Sequence, residues 1–326
     1  MITAISCISL WVTIRSPPSD STIVSMQDQF TGCLLGAAIG DALGMPGEGN
    51  PVNLKRSACE FRRAWRGHPN DRLLAGQYTD DTQVMLLVAE MVAGRKFTPD
   101  RYARALRDLY RDGLLRFPDG SLQSACEHLL AGKTEGAGVL STTAGCVPVA
   151  VPFALSSPDP VEVTEQIALA CSVTHTHPAA IAAATTVGML LHHALHGSAE
   201  ALSLARKAAA EEDRDLGEKI RNALAREKEG MPLERAITLT GNDVSVFQTL
   251  PLAFFLMARY HDAAELLAAA AHVGGNTDTI GFICGAYVGA RDGFPALPAN
   301  LVETIENRQR IVVLAQMLQE IYHKKP

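Results

Sequence analysis

Long runs of β-branched and aromatic residues bounded by turn signals are scarce in this chain of 326 residues. Aromatic residues make up only 6% of it, whereas 47% of the residues are hydrophobic and alanine is abundant. Because strands are built mostly from β-branched and aromatic residues, this composition favours packed helices over a sheet. The predicted fold class is all-α.

The sequence also lacks the marks of several binding functions. No basic block exceeds a few residues, and the net charge is −6 from 29 basic and 35 acidic residues, which argues against nucleic-acid and anionic-membrane partners. The seven cysteines are odd in number and have no C-x-x-C spacing, which is typical of reduced core thiols and predicts a cytoplasmic protein. No apolar stretch approaches the ~20 residues that a membrane span needs.

The first 25 residues differ in composition from all that follows. An apolar start over residues 1–14 gives way to a Ser- and Pro-rich break over residues 15–20. No positive charge precedes the apolar run and no A-x-A site follows it, so we favour a disordered leader or an upstream start codon over a secretory signal. Since no repeat and no Gly/Ser linker divides the remainder, residues 26–326 are predicted to form one domain.

Weak apolar periodicity over residues 51–78 predicts a loop, and helical periodicity is clearer elsewhere. The predicted helices cover residues 29–43, 80–93, 99–117, 121–131, 161–173, 178–196, 199–228, 245–259, 261–272, 277–291 and 299–322.

Glycines recur every four residues in the first of these helices, at Gly32, Gly36, Gly40 and Gly44. Each glycine costs a helix about 1 kcal/mol relative to alanine, so packing or function must compensate. A stripe of this kind lets another backbone or a ligand come close. Pro and Gly then end the helix and place Glu48 in a loop.

Two polar clusters about 200 residues apart are the most informative feature of the chain. Residues 79–82 read Thr-Asp-Asp-Thr, residues 276–279 read Asn-Thr-Asp-Thr after two glycines, and each cluster opens a helical stretch. Helix capping, with Thr79 as a natural N-cap, is the alternative for each cluster alone. Together they offer hard oxygen ligands of the kind Mg²⁺ and Mn²⁺ prefer, enough for a binuclear site. The six candidate metal ligands are Thr79, Asp80, Asp81, Asn276, Asp278 and Thr279.

Segments spread over roughly residues 29 to 293 resemble, in the same order, the signature motifs of the ADP-ribosylglycohydrolase family, including its dinitrogenase-reductase activating glycohydrolases. The matching segments cover residues 32–44, 79–82, 174–178, 241–251, 274–279 and 285–290. The resemblance implies a single-domain orthogonal multi-helix bundle with two Mg²⁺ or Mn²⁺ ions in a cleft. It also implies hydrolysis of the bond between ADP-ribose and an acceptor, either a protein or a small molecule.

The resemblance also implies roles for individual residues. The six ligands named above match the family's metal ligands, except that Asn276 stands where the family usually has Asp. Glu48 matches a loop glutamate with an acid/base or substrate-positioning role, and Asp81 and Asp278 are the other implied catalytic residues, Asp278 by bridging the ions or orienting water. The implied substrate-binding residues are Ser141, Thr142, Thr143, Gly145, His175, Val244 and Gly275.

Several alternatives stay open at this level. Glu48 is otherwise a solvated loop carboxylate, and His175 a partly buried hydrogen-bonded histidine. The Ser/Thr-rich segment 138–145, which by the resemblance holds the diphosphate through backbone amides, is otherwise a structural turn. The amide at Asn276 removes one negative charge from the predicted metal site. For this reason a catalytically impaired relative that only binds ADP-ribose, or has a structural role, is one alternative function. A metal-dependent nucleotide phosphohydrolase is the other alternative.

Overall fold

The computed structural model describes residues 24–55, 58–134 and 136–325, and within these ranges the protein is helical. Its described residues form no strand, only two isolated β-bridges, Val139 with His175 and Thr143 with Ser245. The prediction of an all-α fold is confirmed. The proposed leader falls almost entirely outside the described residues.

The structure contains fifteen α-helices in its described part. Their bounds are α1 Met26–Gly44, α2 Asp80–Ala93, α3 Pro99–Arg111, α4 Gly120–Leu130, α5 Ala150–Ala154, α6 Pro160–Cys171, α7 Pro178–Leu195, α8 Ala201–Glu212, α9 Arg214–Lys228, α10 Leu233–Thr240, α11 Val246–Arg259, α12 Ala263–Ala270, α13 Thr277–Asp292, α14 Ala299–Thr304 and α15 Arg308–Tyr322. Short 3₁₀ turns cover Met45–Gly47, Val147–Val149 and Phe294–Ala296.

Several predicted helices were wrong in extent. The helix predicted over residues 199–228 is divided at Asp213, whose extended backbone ends α8 and whose carboxylate caps α9 by accepting from the Leu216 amide. The helix predicted over residues 299–322 is divided before Asn307, which has a left-handed φ of 57°. The helix predicted over residues 99–117 ends at Arg111. The short helices α5 and α10 were not predicted, since neither spans enough residues to show a clear period.

The glycine stripe of α1 lies against the backbone of α13. A Cβ built on Gly40 would lie 1.8 Å from the carbonyl oxygen of Gly281, and one built on Gly285 would lie 1.9 Å from that of Gly36. Since glycines face each other along both helices in reverse chain order, α1 and α13 run antiparallel at a distance that no side chain permits. The expectation that the stripe admits another backbone is confirmed.

This packing brings the C-terminal end of α1 to the N-terminal end of α13. Thr277 donates its hydroxyl to the carbonyl of Gly44 at 2.7 Å. Asp41 and Asp278, far apart in the chain, are therefore carried into one region of the fold.

Helix α7 is apolar along its whole length. It is the one helix in the described part that is long and apolar enough to cross a membrane, with 18 residues, so the expectation that no stretch approaches that length was too strict. Of these residues, 78% are buried inside the protein, as in a core helix. All six cysteines of the described residues are unpaired and five are buried, which agrees with the prediction of core thiols.

Candidate functional site

The first turn of α2 is organised by a carboxylate of another helix. Asp41, fully buried in α1, accepts hydrogen bonds from the backbone amides and the hydroxyls of both Thr79 and Thr82, at 2.6 to 3.2 Å. Thr79 holds the N-cap position, but its side chain makes no capping bond. The predicted cap is therefore wrong in its chemistry: Asp41, and not Thr79, accepts from the Thr82 amide that the helix leaves unpaired.

The first turn of α13 depends on the double glycine before it. Gly274 and Gly275 both have positive φ, 72° and 65°, and a Cβ on Gly275 would lie 2.0 Å from the carbonyl oxygen of Asn242. Asn276 makes no capping bond either, because its amide nitrogen donates to the Thr249 hydroxyl at 3.0 Å. Its amide oxygen accepts from the Thr279 hydroxyl at 3.3 Å.

Both polar clusters line one small acidic cavity of about 20 Å³, enough for a water-sized occupant. Five carboxylates and no basic side chain surround it. The lining residues are Glu48, Asp80, Asp81, Phe117, Asp119, Ala144, Gly145, Val244, Asn276, Asp278 and Thr279. The structure therefore brings together five of the six predicted metal ligands, and the sixth, Thr79, lies fully buried behind them with its hydroxyl on Asp41.

Three of these carboxylates, those of Asp80, Asp81 and Asp278, resist ionisation. Burial raises the pKa of Asp80, Asp81 and Asp278 well above its ordinary value, and the neighbouring negative charges add to the shift in each case. Burial also raises the pKa of Asp41 to about 6, although the hydrogen bonds from Thr79 and Thr82 lower it in part. Like charges gathered in a cavity without a counter-charge destabilise the fold at neutral pH.

The donor chemistry of the cavity fits a hard divalent cation. Asp81 Oδ2 is buried and has no hydrogen-bond partner, a costly arrangement unless a cation faces it. No three His, Cys, Asp or Glu side chains of the described ranges form a ligand group by themselves. A divalent cation would therefore need oxygen ligands besides the carboxylates. The Thr279 hydroxyl and the Asn276 amide oxygen, which are also hard donors, can supply them.

Glu48 lines this cavity and is held in place by His68 and Asn70. Its Oε2 accepts from Asn70 Nδ2 at 2.7 Å, and its backbone carbonyl lies 2.7 Å from His68 Nε2. Asn70 is fully buried and also donates to the carbonyl of Met45. Glu48 is therefore an ordered, half-buried carboxylate rather than the solvated loop residue of the alternative interpretation.

Hydroxyl groups of the Ser/Thr-rich segment join a chain of hydrogen bonds near the cavity. Ser121 donates to Ser141 at 2.7 Å, and the hydroxyl of Thr143 lies 2.9 Å from Nε2 of His175. His175 is fully buried, and its burial lowers the pKa of the imidazole, which favours the neutral ring. These three predicted side chains do not line the cavity itself.

Of the remaining predicted substrate-binding residues, two line the cavity and two lie outside it. Gly145 and Val244 line the cavity, and the amide of Ala144 donates to the carbonyl of Val244 at 2.9 Å. The carbonyl of Thr142 accepts from the Val246 amide at 2.8 Å, outside the cavity. Gly275 also lies outside the lining and serves the turn before α13.

Three lining residues were missed from the sequence, Phe117, Asp119 and Ala144. Asp119 Oδ1 caps α4 by accepting from the amides of Ser121 and Leu122, while Oδ2 would lie 2.7 Å from a Cβ on Gly145. Phe117 has a left-handed φ of 51°, unusual for a residue with a side chain. The available signal, an Asp before a helix, is the ordinary signature of an N-cap, so it did not mark Asp119 as a site residue.

We expect Asp81→Asn to stabilise the protein in the presence of a chelator at alkaline pH. Since the folded-state pKa of Asp81 is raised, its contribution to folding is most favourable below its ordinary pKa near 3.8 and is lost as pH rises through the folded-state pKa. The melting temperature of Asp81→Asn is therefore expected to equal that of wild type near pH 4 and to exceed it by at least about 2 °C at pH 8.

A thermal unfolding series from pH 4 to 8 measures this difference. Asp108→Asn, on an exposed residue of α3 whose pKa is lowered mainly by a hydrogen bond from Arg107, is the control and should show no such gain. A constant difference between Asp81→Asn and wild type at all pH values would contradict the assignment of buried charge repulsion.

Comparisons with known proteins identify the family of this chain. Residues 22–326 match the model of the ADP-ribosylglycohydrolase family. An uncharacterized protein of Archaeoglobus fulgidus is 33% identical, covering 91% of this chain and 98% of its own. The ADP-ribosylarginine hydrolase Tri1 of Pseudomonas putida is 29% identical, covering 92% of this chain and 79% of its own. A solved ADP-ribosylglycohydrolase-related protein complex superposes with a TM-score of 0.72 at 26% identity, covering 91% of this chain and 98% of that one.

The family model and these relatives extend over nearly the whole chain, and the solved relative has the same fold. The chain therefore belongs to the ADP-ribosylglycohydrolase family, hydrolases that act on ADP-ribosyl linkages.

Proposed function

We propose that this protein is a divalent-cation-dependent hydrolase that releases intact ADP-ribose from an ADP-ribosylated protein or small-molecule acceptor. One observation carries the dependence on a cation: five carboxylates enclose a small cavity with no basic side chain, and Asp81 Oδ2 is buried there without a partner. Family membership supports the hydrolysis of an ADP-ribosyl linkage.

Asp80, Asp81, Asp278 and Thr279 would hold one or two Mg²⁺ or Mn²⁺ ions, with Asn276 and Thr79 completing the set. When bound, these ions supply positive charge that offsets the carboxylates and polarises oxygen atoms of the substrate.

Side chains of the protein would position the distal ribose and supply the proton that the leaving group needs. Water adds to the anomeric carbon as the bond to the acceptor breaks, the leaving atom takes a proton from Glu48, and the proton that the water gives up returns Glu48 to its acid form. Asn70 fixes the direction of Glu48 through the 2.7 Å hydrogen bond to Oε2. The chain of hydroxyls from Ser121 to Thr143 beside the cavity offers donors to the diphosphate.

Asn276→Asp is expected to tighten binding of Mn²⁺ about tenfold, because ligand charge tunes the affinity of hard-cation sites. The Thr249 hydroxyl now accepts from Asn276 and donates to the Asp243 carbonyl, and it can donate to the new carboxylate by exchanging that second hydrogen bond. Isothermal titration with Mn²⁺ measures the change. Asn300→Asp adds the same charge at an exposed position of α14 and should leave the affinity unchanged; equal affinity for wild type and Asn276→Asp would contradict a ligand role at residue 276.

The function itself is tested with chelator-treated protein and a panel of ADP-ribosylated arginine, serine and ester substrates, with and without Mg²⁺ or Mn²⁺. Cation-dependent release of intact ADP-ribose supports the proposal. Formation of AMP or phosphate would instead identify a nucleotide phosphohydrolase. Binding of ADP-ribose without turnover of any substrate would identify a non-catalytic relative.

A further inference from the structure

A half-buried ion pair at the start of α2 uses no residue that lines the acidic cavity. Arg116, in the loop between α3 and α4, forms two parallel hydrogen bonds to Glu306, at 2.5 and 2.9 Å. The two side chains are only 24% and 21% exposed. Paired, bidentate geometry of this kind is stronger and more directional than an ordinary surface ion pair.

Arg116 contacts the backbone on both sides of Thr79. Its guanidinium donates to the carbonyl of Tyr78 at 2.9 Å, and its own carbonyl accepts from the amide of Asp80 at 3.0 Å. Its amide also donates to Gln83 in α2 at 2.8 Å. Together with Asp41, Arg116 therefore fixes the start of α2, and the cavity carboxylates of Asp80 and Asp81 lie in that first turn.

Glu306 in turn joins this region to the segment between α14 and α15. Its carboxylate accepts from Gln77 at 2.9 Å, and its amide donates to the carbonyl of Gly76 at 3.0 Å. The neighbouring Asn307 donates to the Tyr78 hydroxyl at 2.6 Å. Residues 76–78, directly before the start of α2, are thus held by residues from the far end of the chain.

The same arginine also fixes the loop that supplies two lining residues of the cavity. Phe117 follows it directly in a left-handed conformation, and Asp119 lies three residues on. A shift of Arg116 would therefore move carboxylates of two separate elements relative to Asp278.

We infer that Arg116 and Glu306 are positioning residues whose ion pair holds Asp80 and Asp81 in register with Asp278, and thereby sets the affinity of the cavity for divalent cations. The inference rests on the proposed function, since it concerns the same site. Partners that orient metal ligands typically change metal affinity or activity by about 10- to 100-fold when they are removed.

A second ion pair offers a matched control. Arg310 of α15 pairs with Glu90 of α2 at 2.6 Å, so it links α2 to the same C-terminal part of the chain. It lies near the other end of α2, and its side chains are about twice as exposed, at 46% and 45%. Substitutions here remove a comparable pair without touching the first turn.

The experiment measures the dissociation constant of Mn²⁺ by electron paramagnetic resonance for wild type, Glu306→Gln and Glu90→Gln. Glu306→Gln is expected to raise the constant about 10- to 100-fold, while kcat at saturating Mn²⁺ stays within about threefold of wild type. Glu90→Gln is expected to leave the constant within about twofold of wild type. Arg116→Lys keeps the positive charge but loses the two parallel hydrogen bonds to Glu306, so it is also expected to raise the dissociation constant of Mn²⁺. Arg310→Lys is its control and should leave the constant unchanged.

A merely structural role predicts a different pattern. It would lower the melting temperature in chelator and the yield of folded protein without changing Mn²⁺ affinity in the folded fraction. If wild type binds Mn²⁺ and both Glu306→Gln and Arg116→Lys have the wild-type dissociation constant, the inference is wrong but the proposed function stands. Absence of Mn²⁺ binding by wild type overturns the proposed function, and the inference with it.

Discussion

Replacing Asp81 by alanine is expected to abolish release of ADP-ribose while leaving the helical fold intact. Asp81 lines the cavity and its Oδ2 is buried without a hydrogen-bond partner. The proposed cations would supply several kcal/mol of charge stabilisation, and each 1.36 kcal/mol is worth a factor of ten in rate. We therefore expect a loss of about 10³-fold or more in kcat/KM for whichever ADP-ribosylated substrate the wild type cleaves. Asp278→Ala is expected to behave alike.

Circular dichroism and a melting curve in chelator separate this effect from misfolding. Both variants should melt at or above the wild-type temperature, because each removes a buried negative charge whose pKa burial has raised. Glu90→Ala, an exposed carboxylate of the same helix α2, is the control and should retain activity. Undiminished release of ADP-ribose by either Asp81→Ala or Asp278→Ala would end the proposed mechanism.

Gly40→Ala is expected to destabilise the protein by about 3 kcal/mol or more, although alanine is the better helix former. The added methyl group would lie 1.8 Å from the carbonyl oxygen of Gly281, and backbone cannot yield as a flexible side chain can. The two helices would have to separate, and Asp41, the next residue, would leave Thr79 and Thr82. Loss of cation-dependent activity should therefore accompany the loss of stability.

Urea unfolding measures the effect, with Gly188→Ala of α7 as the matched control. At Gly188 the new Cβ would meet the tip of Ile167 at 2.3 Å, a flexible side-chain end that can move away. We expect Gly188→Ala to stay within about 1 kcal/mol of wild type. A Gly40→Ala protein as stable as this control would contradict the close backbone packing of α1 and α13.

The sequence was most informative where a signal is complete within a few residues. The bounds predicted for α2, residues 80–93, are those observed, because a polar start is followed at once by a regular apolar period. The double glycine before α13 likewise announced its tight turn, and both residues have positive φ. The division at Asp213 was missed because a polar residue inside a helical pattern resembles an exposed helix position until its backbone angles are known.

Part of the site could not be predicted for the same reason. Asp119 precedes a helix as many capping residues do, and Asp41 lies within a glycine-rich helix where nothing marks it as the partner of Thr79. The bond between Arg116 and Glu306 joins residues 190 positions apart. No local pattern distinguishes such an arginine from the solvated ones on α3.

The sequence by itself determined the all-α class, the helix starts that carry hard oxygen ligands, and the glycine stripe that demands a close neighbour. These are local properties, because periodicity, turn chemistry and backbone freedom are encoded within a few consecutive residues. Only the tertiary structure decided that α13 is the neighbour of that stripe, that Asp41 rather than Thr79 satisfies the start of α2, and that Asp119 joins the cavity. Those outcomes depend on which distant segments pack together, and packing places carboxylates with ordinary local roles around one shared space.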